Sequence, residues 1–146
     1  MWHPDVTVAA VCEKDGKFLL VEEVAKSTNM VVFNQPAGHI EEGESILEAV
    51  IRETLEETQC HFKPLGLVGL YRLEAENGKT YIRYTFHGEV SPIDSSSILD
   101  PDIIRTHWLT FDEIRNKSNL RSPLVLRCIE DYLQRQNYPL DVVKEL

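Results

Sequence analysis

The segment GHIEEGESILEAVIRETLEETQC, residues 38–60, constrains this chain more than any other stretch. From Glu41 to Glu57 it carries seven glutamates and one arginine, which supply −6 of a net charge of −9. Apolar residues recur there at helical spacing. Ser45 with Glu48 three residues on forms a capping box, so the pattern predicts a helix over 45–58. At 100° per residue Glu53, Glu56 and Glu57 share one arc of about 100°. Val50, Thr54, Leu47, Ile51 and Leu55 occupy the arc that must be buried, Ala49 lies under the carboxylates, and Arg52 lies beside Glu56 and Glu48. Like charges at these spacings cost an isolated helix about 0.2–0.5 kcal/mol per pair, and two of them in the last turn oppose the helix dipole. Spacing leaves two readings open: a solvated acidic face, or hard oxygen ligands for Mg²⁺ or Mn²⁺.

The remaining residues bound the answer. A chain of 146 residues, 42% hydrophobic and 27% charged, is read as one domain over 1–146, long enough for a single core. Its acidity gives no basic face for DNA or RNA. Cys12, Cys60 and Cys128 form no C-x-x-C pair and read as buried or half-buried thiols of a reducing compartment. The N-terminus MWHPDVTVAAV lacks a signal-peptide pattern, and no apolar run approaches the ~20 residues of a membrane span, so the expected location is cytoplasmic. Strands are expected at Asp5–Glu13 and Lys17–Val24 around Lys14-Asp15-Gly16, and at Val31–Asn34. A second hairpin, Leu65–Glu74 with Lys79–Val90, turns at Asn77-Gly78. A polar loop over Ser91–Pro101 leads to a strand at Ile103–Leu109 and to helices at Phe111–Lys117 and Ser122–Gln136. Hairpins interrupted by one helix and closed by another imply an α+β fold, a mixed sheet with helices on its faces.

Gly38, five residues, Glu44, seven residues, then Arg52-Glu53-x-x-Glu56-Glu57 resembles the signature of the Nudix hydrolases. The stretches HPDVTVAAV, NQPAGH and LRSPLV extend the resemblance over nearly the whole chain, toward members acting on nucleoside phosphates and thiamine-pyrimidine diphosphates. It implies a curved mixed sheet between helices, an α/β/α sandwich. It also implies that Glu56 and Glu57 ligate Mg²⁺ or Mn²⁺, with Glu53 a further ligand or the group that activates water. The Gly38 carbonyl would complete the metal site, Arg52 would hold the glutamates by charge-assisted hydrogen bonds, and Glu44 would anchor the loop-to-helix turn. Two positions depart from the family: Thr54 replaces an aliphatic residue, and Gln59 replaces the glycine just past the helix.

Many relatives add one carboxylate in a loop before a Trp-bearing strand, which points to Asp102, with Asp100 in reserve, ahead of Trp108. Arg72 and Arg83, on paired strands, are candidates to balance substrate charge or are solvated strand residues. Asn119, Arg121 and Ser122 precede the last helix; Ser122-Pro123 reads as N-cap plus first-turn proline, and the resemblance adds a role at the substrate's base or phosphate. Gln35 and His39 flank Pro36-Ala37-Gly38 and are candidates to line the pocket. Phe33 and Tyr71 are core aromatics or stacking platforms. The implied activity is Mg²⁺-dependent hydrolysis of phosphoanhydrides in small nucleoside di- or triphosphates, thiamine-pyrimidine diphosphate included, with release of orthophosphate. Alternatives are an ADP-ribose or dinucleoside polyphosphate pyrophosphatase and a non-catalytic nucleotide-binding module. The first is weakened because no proline lies between Pro64 and Pro92, the second by retention of Arg52 and its glutamates. The expected partner is a small-molecule phosphate, with neither nucleic acid nor membrane, and the chain is expected to be a monomer or weak homodimer.

Overall fold

The computed structural model describes residues 1–93 and 99–146. Its strands are β1 (Asp5–Val11), β2 (Glu13–Lys14), β3 (Lys17–Ala25), β4 (Met30–Asn34), β5 (Ala37–His39), β6 (Cys60–Glu74), β7 (Thr80–Pro92) and β8 (Ile103–Thr110). Its helices are α1 (Ile46–Thr58), α2 (Phe111–Arg115) and α3 (Leu124–Leu133). The expected polar loop 91–101 is shorter than foreseen, because Ser91 and Pro92 still belong to β7; its residues 94–98 lie outside the described ones.

Asp15 and Gly16 both hold positive φ, 52° and 76°, as a two-residue hairpin turn demands. Yet only Glu13 and Lys14 pair with β3. At Cys12 the chain crosses to another sheet, so the long first strand expected from the sequence divides in two. β1 lies between β5 and β7 in a mixed sheet ordered β5-β1-β7-β6, parallel to β7 and antiparallel to β5. β3 is the centre of the second sheet, antiparallel to β2, β4 and β8. The expected single mixed sheet is therefore two sheets. β5 escaped the sequence reading because Pro36-Ala37-Gly38 looks like a turn; three residues against β1 suffice to make it a strand.

Alternation along β1 sorts the core. Val8, Ala10 and Cys12 pack with Ala49 and Val50 of α1, and with Leu19, Phe62 and Phe86. Val11 faces the other way, into a cluster with Phe18, Leu20, Ile114, Val125 and Ile129 beneath α2 and α3. The sheets thus carry α1 on one side and α2 with α3 on the other, the layered arrangement the sequence implied. No helix among the described residues is long and apolar enough to cross a membrane.

Local chemistry fixes α1 at both ends. The Ser45 Oγ accepts from the Glu48 N–H (3.0 Å), and the Glu48 carboxylate accepts from the Ser45 N–H (3.2 Å). Glu48 is thereby committed to the cap and not to Arg52. Thr54 settles where an aliphatic side chain is usual by donating its hydroxyl to the Val50 carbonyl (2.8 Å). A third clasp comes from far along the chain: the Glu145 carboxylate accepts from the Ile46 N–H (2.9 Å), while Tyr138 exchanges both backbone bonds with Leu67 (2.8 Å each). Leu140 and Val143 pack on the α1 side of the core.

Gln59 closes α1 in the left-handed region, φ 57° and ψ 32°. A side chain there costs about 1 kcal/mol relative to glycine. Gln59→Gly should raise the unfolding free energy by about that amount, read by urea or thermal melts; an unchanged or lower midpoint would refute the strain account.

Candidate active site

Arg52 sits at the middle of the acidic segment and engages most of it. Its Nε and Nη2 donate to both Glu44 oxygens (2.6 and 3.0 Å), a bidentate pair. Nη1 donates to Glu53 Oε1 (2.8 Å) and Glu56 Oε2 (3.1 Å), and Nη2 also reaches the His39 carbonyl (3.0 Å). The guanidinium holds the Glu44 carboxyl below its ordinary pKa, and Glu44 with Glu53 pushes the Arg52 pKa upward in return. One cation therefore ties the loop before α1 to the carboxylates on it.

Glu53 and Glu57 lie against the β5 backbone. Ala37 N–H donates to Glu57 Oε1 (2.9 Å). Gly38 is opposite Val8 in the ladder, and a Cβ built on it would lie 2.1 Å from the Glu53 carboxyl carbon. Glycine at 38 therefore leaves room for the Glu53 carboxylate pressed onto it, and any side chain there would displace that carboxylate. Burial raises the pKa of Glu53 and raises that of Glu57 well above the ordinary 4.5. Neighbouring charges add to the rise: Glu56 and Asp100 act on Glu53, while Glu23, Glu53 and Asp100 act on Glu57.

Glu23 and Asp100 complete the acidic set. Glu23, buried on β3, had no place in the sequence reading. A signal for it existed: in the apolar strand KFLLVEEVA two consecutive glutamates cannot both face solvent under period-2 alternation. Of the loop aspartates, Asp100 faces the helix. Its N–H donates to the Glu56 carbonyl (2.8 Å), and its charge acts on Glu23, Glu53 and Glu57. The Asp102 carboxylate is turned to Lys26 (3.2 Å), and of these three glutamates only Glu23 feels it among the main influences. The backbone thus ties Asp100 to α1 and Asp102 to β3, where the Val24 N–H donates to the Asp102 carbonyl (3.0 Å).

The remaining candidates divide. Arg83 is 5% exposed and donates to Gln35 Oε1 (3.3 Å), Asn34 Oδ1 (3.2 Å) and Cys128 Sγ (3.8 Å). Gln35 is buried with both amide ends engaged, its Nε2 on the Val125 carbonyl (2.7 Å), so it supports Arg83 and does not line a pocket. Arg72 is one residue from Tyr71, the partner of Arg83 across the ladder; alternation turns it to the opposite face, where it pairs with Glu74 in solvent. Asn119 spends its amide on the Val31 carbonyl (3.1 Å), a tether to β4. Ser122 Oγ accepts from the Leu124 N–H (3.2 Å); α3 begins one residue later than expected, with Pro123 at its N-cap. Arg121, half exposed, pairs with Glu23. His39 is exposed and meets Asp5 (3.1 Å). Phe33 belongs to the α3-side core and Tyr71 packs against it, donating to Asp131 (2.7 Å).

The donors present suit a hard divalent cation. They are all oxygens, and burial concentrates more negative charge than one bonded guanidinium neutralises. Among the described residues no three His, Cys, Asp or Glu side chains converge as they stand on one ligation point, since Glu53 and Glu56 turn to Arg52. Glu56 is the carboxylate with freedom to swing, being 45% exposed and held by an ion pair of a class worth about 0–1 kcal/mol.

The chain is similar to known proteins over most of its length. The NUDIX domain family model matches residues 1–127. Phosphatase NudJ of Escherichia coli strain K12 is 38% identical over 143 residues, covering 98% of this chain and 92% of that protein. The solved structure of a NUDIX hydrolase from Nitrosomonas europaea is 49% identical, with a TM-score of 0.94 over 99% of this chain and 98% of that one. The NUDIX domain of Shewanella oneidensis NrtR complexed with ADP ribose shares the fold at 19% identity, with a TM-score of 0.72 over 92% and 90% of the two chains.

Two outcomes follow. Gly38→Ala should displace the Glu53 carboxyl and lower turnover at least about 100-fold with the fold retained by circular dichroism; near-normal turnover would remove the Gly38–Glu53 contact from the site. For the metal-free protein, the folded state binds a proton at Glu57 more readily than the unfolded chain does. Glu57 therefore subtracts stability as pH rises above 4.5. Melting temperatures of Glu57→Gln should exceed those of the parent at pH 8 and draw level toward pH 4, whereas a constant offset would contradict this sign.

Proposed function

This chain belongs to the Nudix hydrolase family, and we propose that it is a Mg²⁺-dependent hydrolase of phosphoanhydride bonds in small nucleoside di- and triphosphates and thiamine-pyrimidine diphosphate, releasing orthophosphate. The observation that carries this reading is the ridge of α1 on which Glu57 bonds the Ala37 N–H, Glu53 presses on Gly38 and Glu56 pairs with Arg52, with Glu23 and Asp100 acting on it. An anionic pocket of this kind accepts a diphosphate only together with a cation. The likeness to NudJ over nearly the whole chain supports the phosphatase pattern.

In this reading the Gly38 carbonyl with Glu56 and Glu57 would hold the ion, Mg²⁺ or Mn²⁺, with Glu53 a further ligand or the group that activates water, and Asp100 would contribute from the loop in place of Asp102. The bound ion neutralises phosphate charge and acidifies a water. The protein's own groups do the rest. Arg52 takes Oε1 of Glu53 and leaves Oε2 to receive a proton from the attacking water, a task favoured by the raised pKa. The water oxygen bonds to the terminal phosphorus as the anhydride P–O bond breaks, the bridging oxygen leaves with its electron pair on the remaining phosphate of the substrate, and orthophosphate separates. Arg121 presents its unengaged donors to a phosphate at the rim. Arg83, sustained by Asn34 and Gln35, adds positive potential from below. Residues 1–146 act as one catalytic domain in the cytoplasm, as a monomer or weak homodimer.

A panel tests the reading: nucleoside di- and triphosphates, thiamine-pyrimidine diphosphate, ADP-ribose and dinucleoside polyphosphates, each with Mg²⁺ and with chelator. Orthophosphate from the first groups, abolished by chelator, is expected; AMP with ribose phosphate from ADP-ribose, or binding without turnover, would overturn it. In the same assay Asp100→Asn should lower kcat at least about tenfold, and Asp102→Asn should lower it less.

A further inference from the structure

Glu23 lies between two kinds of charge. Charges of both signs act on it: the carboxylates of Asp100 and Asp102, and two arginines, Arg121 in direct contact and Arg83 within electrostatic reach. Burial of a carboxylate costs several kcal/mol unless it is paired, and the pair with Arg121 is what makes Glu23 tolerable on β3. The pair also constrains Arg121. Its backbone is already pinned, since the Arg121 N–H donates to the Phe33 carbonyl (2.8 Å), and Glu23 then fixes the far end of the side chain. A guanidinium has five N–H donors. Among the described residues only Glu23 accepts from that of Arg121, while 40% of the side chain stays open to solvent. A cation held at both ends, with donors left over beside a carboxylate cluster, is arranged for a ligand oxyanion.

We propose that Glu23 is a positioning residue: by holding Arg121 it sets where the terminal phosphate of the substrate rests, without itself ligating the metal. This rests on the phosphoanhydride reading above and names the side chain through which that site fixes its substrate. Removing the Glu23 charge leaves the far end of Arg121 without its carboxylate acceptor, so the loss falls on substrate binding.

A double-mutant cycle tests it. Glu23→Gln should raise KM about tenfold with kcat within about threefold, the scale of one charged hydrogen bond. Arg121→Gln should raise KM at least as much, and the double variant should be no worse than Arg121→Gln alone. Mn²⁺ affinity, followed by titration of the bound ion's paramagnetic signal, should be unchanged in Glu23→Gln. Multiplicative effects in the double variant, or a roughly tenfold loss of Mn²⁺ affinity with a fall in kcat, would overturn the proposal and place Glu23 on the ion. If Glu23→Gln does not fold, Glu23→Asp carries the test, because it keeps the charge while shortening the reach to Arg121. Should the wild type hydrolyse nothing in the panel, the functional reading fails, yet the cycle is still read from dissociation constants for ADP by calorimetry.

Discussion

One guanidinium decides whether the acidic segment can exist as a folded object. Glu44, Glu53 and Glu56 lie within bonding distance of Arg52, and Glu41 is 3.6 Å away. Without that cation the loop before α1 and the ridge on α1 would repel each other at close range in a partly desolvated place, where Coulomb forces are weakly screened. With it, loop and ridge become one unit, and the His39 carbonyl joins them to β5. The bidentate grip on Glu44 is the strongest part of the arrangement, because its planar geometry fixes direction as well as distance. Everything placed by α1 inherits that direction.

The second determinant is the switch of sheets at Cys12. Because β1 joins β5 on one side and β7 on the other, its two faces serve different masters. The face carrying Val8 and Gly38 meets the carboxylates; the face carrying Thr7 and Ala9 lies beside Arg83 and Thr85, near α3. Negative and positive poles thus stand on opposite sides of the same few strands, and Glu23 is the residue whose field joins them. Separation of this kind keeps Arg83, bonded to Asn34, Gln35 and Cys128, apart from the carboxylates of α1.

What could be read from the sequence was whatever depends on neighbours in the chain. The capping box of α1, its buried stripe, the strained Gln59 and the hairpin turns all follow from spacing, since i, i+3 and i+4 contacts are local. The carboxylate at 23 was overlooked because its meaning comes from partners almost a hundred residues away, although the doubled glutamate was in plain view. That Asp100 is tied to α1 and Asp102 to β3 follows from where β8 starts, which spacing alone does not fix. Gln35 and Asn119 looked like pocket residues by position, and tertiary packing turned them instead to the Val125 and Val31 carbonyls. Backbone satisfaction, which no single-chain pattern reveals, claimed both side chains.

The clasp near residue 145 has a practical side. Glu145 occupies an amide at the start of the same helix whose other end bears Glu56 and Glu57, and Tyr138 stitches the approach to β6. A purification handle or fused partner attached next to that acidic side chain would tug on the scaffold of the chemistry itself. The opposite terminus, where Met1 and Trp2 project freely into water, offers an attachment point that leaves the scaffold alone.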